Sequence, residues 1–479
     1  MPSEASASGL PPGRATAIIA LGTLASLVLG VIANKVYAVV LGPPGVGVMA
    51  LIMSTIAVGA IAAGLGMGTS VVQLISSARA SGDTSYGRAT ERVARRITLV
   101  ACVVLALALI LWKDALATWV FGTPAAGVYV LFIGPAIVFT GMAFLETGIL
   151  TGHQRIRGIA LANAYAAAVG MVAGVVAVLS VGLAGLAPAF MASAAAHYIY
   201  VRWRTLRIHV PVRPMPAPPD VTSRLLRLGA PACLSQLVLV GAQLAIPVLI
   251  LHALGAHEVG LYRAASTISI AYLTLALSTL TYEFLPRITR VQTGEVGAAI
   301  DQHMRLLLGA AVPMILVIFS LGPLILELLF SDAFVPAMSV LQWQLVGDLL
   351  RIPAWALAFA LISQARSGMY LGVEVVAGLS LIVAVPIGLL FGGLEGVGVG
   401  YAVAQAVYLG VAWVVTARLG LTAPGRLQAI VILIAFGVST SIVIGMPLVP
   451  RGIIFGTLAA SAAVIAVPRL FALYRARAT

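Results

Sequence analysis

Apolar runs of roughly twenty residues recur from Thr16 to Ala472, each long enough to cross about 30 Å of hydrocarbon at 1.5 Å per residue. No other feature constrains the chain as strongly. Hydrocarbon offers no water to backbone N–H and C=O groups, and an α-helix satisfies them within a single segment. The pattern predicts an all-α integral membrane protein with about fourteen transmembrane helices, near 16–40, 46–77, 97–120, 126–150, 157–181, 184–203, 228–252, 260–286, 306–330, 338–363, 369–391, 397–417, 427–447 and 452–472. Transmembrane β-barrels, whose strands alternate apolar and polar residues, are excluded. So are soluble enzyme folds, since only 9% of the residues are charged against about 25% in soluble domains. Run 16–40 is too long for a signal-peptide core and is interrupted by Asn34 and Lys35, which predicts a retained first helix.

Net charge is +13, a balance that would suggest nucleic acid in a soluble protein. Here the 26 arginines lie mostly between apolar runs, the placement of cytoplasmic loops and anionic headgroups, and nucleic-acid binding is not expected. With the N-terminus in the cytoplasm, 23 arginines fall on the cytoplasmic side, including Arg79, Arg88, Arg92, Arg95, Arg96 and six between Arg202 and Arg227. The opposite side holds Lys113, Arg263 and Arg451. Dropping one span would reverse every later loop, so this asymmetry tests the count and places both termini in the cytoplasm.

The chain also repeats. Leu41-Gly-Pro-Pro-Gly-Val-Gly47 recurs in outline as Leu254-Gly-Ala-His-Glu-Val-Gly260, Gly182-Leu-Ala-Gly185 as Gly393-Leu-Glu-Gly396, and Gln154 as Gln364. The offsets are nearly equal, which predicts two six-helix lobes in parallel pseudo-twofold repeat plus two C-terminal helices. The expected parts are a cytoplasmic tail at 1–15, an N-lobe at 16–204, a proline-rich cytoplasmic linker at 205–227, a C-lobe at 228–418, extra helices at 427–472 and a cytoplasmic tail at 473–479. Short outer loops leave no room for the carboxylate-bearing domain that a membrane-embedded glycan-processing enzyme generally needs.

Chemical motifs are sparse. Neither lysine, Lys35 or Lys113, belongs to a phosphate-cradling loop, and no nucleophile elbow is present. The glycine clusters Gly64-Leu-Gly-Met-Gly68 and Gly396-Val-Gly-Val-Gly400 read as sites of close helix packing. Cys102 and Cys233 both lie in apolar segments, the histidines show no metal-ligand spacing, and no metal or cofactor is expected.

What remains is a set of ionisable residues inside apolar helices, where charge is costly and tends to face a cavity or a partner. Lys35 lies roughly 9 Å from the outer end of span one, placed either to snorkel or to meet an anion. Asp348 and Arg351 are three residues apart and share a helix face. Glu146 and Glu374 lie nearer the cytoplasmic boundary, Glu283 precedes Arg287 by one turn, and Arg263 opens span eight as a cavity-rim charge or an interfacial anchor.

The phrase Trp343-Gln-Leu-Val-Gly-Asp-Leu-Leu350, continuing through Arg351 to Gly372-Val-Glu374, resembles the second-lobe signature of Wzx-type flippases, the O-antigen and lipid-linked oligosaccharide translocases. Glu258-Val-Gly-Leu-Tyr262, Ser266-Thr-Ile-Ser269 and Leu285-Pro-Arg-Ile288 share that resemblance, as does Lys35 ahead of Leu41-Gly-Pro. The resemblance covers roughly residues 16–418 and implies a multi-pass protein of the bacterial inner membrane, a member of the multidrug/oligosaccharidyl-lipid/polysaccharide superfamily. It implies a flippase that moves undecaprenyl-diphosphate-linked oligosaccharide to the outer leaflet, its lobes rocking around a cationic cavity. It further implies proton or sodium coupling and, as partners, polysaccharide polymerase and export proteins. Carried over by position, Lys35 and Arg351 are the expected contacts of the diphosphate head, with Asp348 and Glu374 as acidic partners in ion coupling or gating; from their placement in the apolar helices, Arg263 is a further expected contact of the head, and Glu146 and Glu283 are further expected ion-coupling or gating acids. Spans thirteen and fourteen are similar to the lipid II flippase branch, and a cation-coupled multidrug exporter of the same superfamily is the other transport reading.

Overall fold

The computed structural model describes residues 12–208, 218, 220–279, 296–364 and 366–421, and every regular element among them is helical. The α-helices are α1 (Pro12–Gly64), α2 (Met67–Ser81), α3 (Thr84–Leu111), α4 (Lys113–Phe121), α5 (Gly127–Gly152), α6 (Ile156–Val181) and α7 (Leu186–Leu206). They continue with α8 (Val221–Leu254), α9 (Ala256–Thr279), α10 (Val296–Leu329), α11 (Met338–Ser363) and α12 (Ser367–Arg418). Among the described residues, eight stretches are long and apolar enough to cross a membrane. Three of them, Val28–Gly64, Gly158–Leu206 and Gly368–Arg418, contain a turn that divides them into two spans. The expected spans at 427–447 and 452–472 lie outside the described residues, as does most of the proline-rich linker.

Those turns fall where the repeated motifs predict. Gly42 (φ 63°) and Gly255 (φ 97°) occupy matching positions in the first motif, and Gly182 (φ 64°) and Gly393 (φ 55°) in the second. A side chain strains backbone in this left-handed region, so glycine ends one span and lets the next begin. Pro43 and Pro44 then start the second half of α1, where the first N–H groups need no intrahelical acceptor.

One expected helix is two. Span 46–77 breaks at Leu65 (φ 49°) and Gly66 (φ 69°), so α1 stops at Gly64 and α2 starts at Met67. At this break the chain runs against the backbone of α8, and a Cβ on Gly66 would collide with the Gly229 carbonyl. Hydropathy does not register the break because Gly, Leu and Met all read as apolar.

The described residues form two compact units, Met1–His252 and Ala253–Thr479. In the first, α5 is central, and its glycines at 134, 141 and 148 recur every seventh residue on one face. A Cβ there would meet Ile110, Cys102 and the Gly68 backbone respectively, so small residues let α3 and α2 approach α5 closely. Val221 and Leu225, one turn apart on α8, join Met67, Val71, Leu145 and Ile149 in one buried cluster. The start of helix α8 therefore packs with the first unit. On α3, Leu99, Val100, Val103, Val104 and Leu107 are exposed, as a lipid-facing stripe requires. Asp83 caps this helix by accepting the Tyr86 N–H at 2.9 Å and the Ser85 hydroxyl at 2.7 Å. Both bonds stabilise the carboxylate and lower its pKa.

In the second unit α11 packs against α12, α10 and α9. The two halves of α12 approach through Gly388, Gly396 and Gly400, where an added Cβ would strike the facing backbone.

Candidate functional sites in the two units

Glu146 on α5 is fully buried, and side chains from two other helices satisfy its carboxylate. Arg95 of α3 donates from Nε to Oε1 at 2.8 Å and from Nη2 to Oε2 at 3.1 Å, the two-pronged geometry that makes arginine–carboxylate pairs strong. Arg202 of α7 donates to Oε1 at 3.2 Å, and the Thr205 hydroxyl donates to Oε2 at 2.8 Å. Arg95 also pairs with the buried Glu91 at 3.2 Å, whose other oxygen lies 2.9 Å from His153 Nε2. Arg79 of α2 closes the group by donating to the His153 carbonyl at 2.7 Å. The result is a polar clasp that ties α2, α3, α5 and α7 together at the arginine-rich end of the unit.

Asp348 on α11 is likewise fully buried. Its Oδ2 accepts from the Ser269 hydroxyl of α9 at 2.6 Å, and its Oδ1 from the Tyr401 hydroxyl of α12 at 2.7 Å. The same Tyr401 oxygen accepts from Arg351 Nη1 at 3.2 Å. Tyr401 thus bridges the aspartate and the arginine whose spacing suggested a pair, so the coupling of these two charges includes a third residue. Arg351 also lies 4.9 Å from the centre of the Trp355 ring, one turn further along α11. Glu374 accepts from the Tyr408 hydroxyl at 2.6 Å, and Gln344 Nε2 donates to the Ser266 hydroxyl at 3.0 Å.

Arg263 takes no part in the hydrogen bonds of the Asp348 group. It is half-buried on α9, roughly 10 Å along the helix from Ala256, and its guanidinium has no hydrogen bond or ion pair among the described residues. Lys35 is half-buried on α1, two residues before the buried Tyr37. Glu283 lies outside the described residues.

The structure therefore joins Asp348 and Arg351 in one network of the second unit and places Glu146 in a separate network of the first. It adds residues that the sequence reading passed over. The Glu91–Arg95 spacing of one helical turn is a local signal that could have found the edge of the clasp. Tyr401 and Tyr408, two turns apart on α12, carry no charge and give no such signal.

The polysaccharide biosynthesis protein family matches residues 13–292. The lipid III flippase of Escherichia coli (strain K12) is 23% identical over 373 residues, 76% of this chain and 88% of that protein. Among solved structures, a lipid II flippase, MurJ, in an inward closed conformation superposes with a TM-score of 0.72 at 12% identity, covering 92% of this chain and 98% of that one. An inward-facing multidrug resistance transporter of the MATE family superposes at 0.63 and 16% identity, covering 83% of this chain and 94% of that one. This chain shares the fold of these solved structures, which, like the matched relative, are named as flippases and transporters. Matched over more than half of its length by one family, this multi-pass membrane chain belongs to the polysaccharide biosynthesis protein family.

Proposed function

We propose that the chain is a flippase that turns undecaprenyl-diphosphate-linked oligosaccharide, an O-antigen or other surface-polysaccharide repeat unit, from the inner to the outer leaflet of a bacterial cytoplasmic membrane by alternating access. The observation that carries this reading is Arg263, a half-buried guanidinium in an apolar helix with no partner among the described residues. A charge held in that setting calls for an anion, and a diphosphate presents several oxygens to such a fork of donors. Three acids of the described spans are engaged instead: Glu146 by two arginines, Asp348 by Ser269 and Tyr401, and Glu374 by Tyr408. A drug exporter taking cationic substrates would be expected to show the opposite balance. Similarity to proteins named as lipid II and lipid III flippases supports the same choice.

In this reading Arg263, Lys35 and Arg351 meet the diphosphate head. Asp348 and Glu374 serve proton or sodium coupling, and a polysaccharide polymerase takes the product. Depletion of the protein should cause a lipid-linked intermediate to accumulate in the inner leaflet, identified by mass spectrometry of its headgroup. An unchanged lipid pool would refute the reading. Arg263→Ala should lower export at least about tenfold at normal protein level, the loss of one charge-assisted contact, while Arg263→Lys retains part of it.

The same reading places both termini in the cytoplasm. Reporter fusions after residues 85, 155 and 366 should then report cytoplasm, and fusions near 122, 256 and 333 the outer side, as the arginine distribution requires. A reversed report beyond residue 230 would remove the parallel arrangement of the two repeats.

A further inference from the structure

The break between α1 and α2 borders a cavity of about 240 Å³ that lies wholly within the first unit. We propose that this cavity is a subsite for one neutral sugar ring, a hexose or an N-acetylhexosamine. The proposal rests on the flippase reading for its substrate class and adds the place where a sugar of the headgroup is held.

Four features of the cavity point to that ligand. First, its size is below the roughly 300–1,000 Å³ of sites for drug-sized molecules; it suits a single ring and is too small for an oligosaccharide. Second, its wall supplies both donors and acceptors from backbone. The leading amides of α2, at Met67 and Gly68, have no intrahelical acceptor, and the end of α1 presents carbonyls beside them. Third, Thr98 lines the cavity from α3, is fully buried, and its hydroxyl has no hydrogen-bond partner among the described residues. A buried threonine in a helix ordinarily bonds back to the preceding turn, so this hydroxyl remains unsatisfied until something in the cavity meets it. Fourth, Phe144 and Gln236 are among the lining residues, and an aromatic and an amide residue are the types that suit the apolar face and the hydroxyl edge of a pyranose.

The charge of the lining narrows the choice. Neither a carboxylate nor a basic side chain contributes to the wall. A bare cation would meet neutral oxygens beside the positive end of the α2 dipole, and a phosphate would meet no arginine or lysine. Arg95 and Glu146 are close by in sequence, one turn from Thr98 and adjacent to Leu145, but they are committed to each other. A neutral polyol fits what is left.

Cys233 lines the same cavity and supplies a built-in reporter. In a Cys102→Ala chain it is the one remaining thiol. Its alkylation by N-ethylmaleimide would be followed by intact mass in the full chain held in lipid nanodiscs, with methyl glycosides of neutral hexoses and N-acetylhexosamines as probes. At twice its dissociation constant a ligand that covers the thiol slows the reaction about threefold, so a saturable slowing of this kind by at least one glycoside is expected. Thr98→Val should raise the half-protecting concentration roughly tenfold, the loss of one hydrogen bond, and Thr98→Ser should restore it. Gln236→Leu serves if the valine variant does not fold. Should the thiol prove unreactive, saturation-transfer NMR with the same glycosides and variants gives the same comparison. Protection by sodium chloride alone, or none by any glycoside, overturns the subsite. Normal export with no glycoside effect removes the subsite and leaves the flippase reading in place. Glycoside protection without accumulation of a lipid-linked intermediate on depletion removes the flippase reading instead.

Discussion

Glu146→Ala is expected to destabilise the protein by about 3–5 kcal/mol, the cost of leaving a buried charge without its partner. The carboxylate receives two bonds from Arg95, one from Arg202 and one from Thr205. Deleting it takes the carboxylate from Arg202 and leaves Arg95 with Glu91 alone, and the two guanidiniums retain only 18% and 32% exposure, too little for water to replace what is lost. Glu146→Gln keeps the shape and one acceptor oxygen but not the charge, so an intermediate loss is expected. Thermal unfolding of the purified protein in lipid checks both. The measurement also separates two roles for this residue. If Glu146 is a clasp, export per folded molecule should keep its pH dependence in the glutamine variant. A stable alanine variant whose export has lost its pH dependence would return Glu146 to ion coupling.

Arg351 and Asp348 are expected to act through Tyr401, and the largest functional loss should follow when that bridge is cut from either side. Asp348→Ala removes the acceptor of two hydroxyls and leaves Arg351 in a buried network without its anion. Destabilisation of several kcal/mol should accompany loss of export. Asp348→Asn preserves the outline and should leave folded protein with an altered pH profile. Tyr401→Phe is the sharper test, because it deletes one oxygen and nothing else. If the hydroxyl carries the coupling, a double-mutant cycle between Arg351→Gln and Asp348→Asn should show an interaction of about 0.5–3 kcal/mol in the native background and much less in Tyr401→Phe. An unchanged coupling would mean that the two charges interact directly. One switch that this bridge allows is that an arriving diphosphate competes with Tyr401 for the guanidinium, and Asp348, still held by Ser269 and Tyr401, loses the nearby positive charge and accepts a proton more readily. Full export by the doubly neutral variant would sink that switch and leave a structural pair.

Much of the fold was legible because it follows from local properties. Hydropathy and length mark the spans, and arginine placement gives each loop a proposed side of the membrane. Repeated glycines mark turns that the backbone indeed makes at Gly42, Gly182, Gly255 and Gly393. Asp348 and Arg351 could be placed on one face from their spacing alone, since three residues is close to one helical turn.

The identity of each charge's partner was not legible, because partners in a bundle are neighbours in space with no fixed separation in sequence. Glu146 meets Arg95, Arg202 and Thr205 across 51, 56 and 59 residues, and Asp348 meets Ser269 and Tyr401 across 79 and 53. The break at Leu65 and Gly66 was hidden for a related reason. A run of Gly, Leu and Met is apolar whether or not its backbone is helical, and only the approach of Gly229 shows that this backbone leaves the helix. The sequence by itself thus determined that the chain is a bundle of apolar membrane helices with a few charges inside it. Tertiary packing decided which of those charges are neutralised and which, like Arg263, find no hydrogen bond or ion pair among the described residues, because burying a charge constrains its surroundings without naming the residue that will supply them.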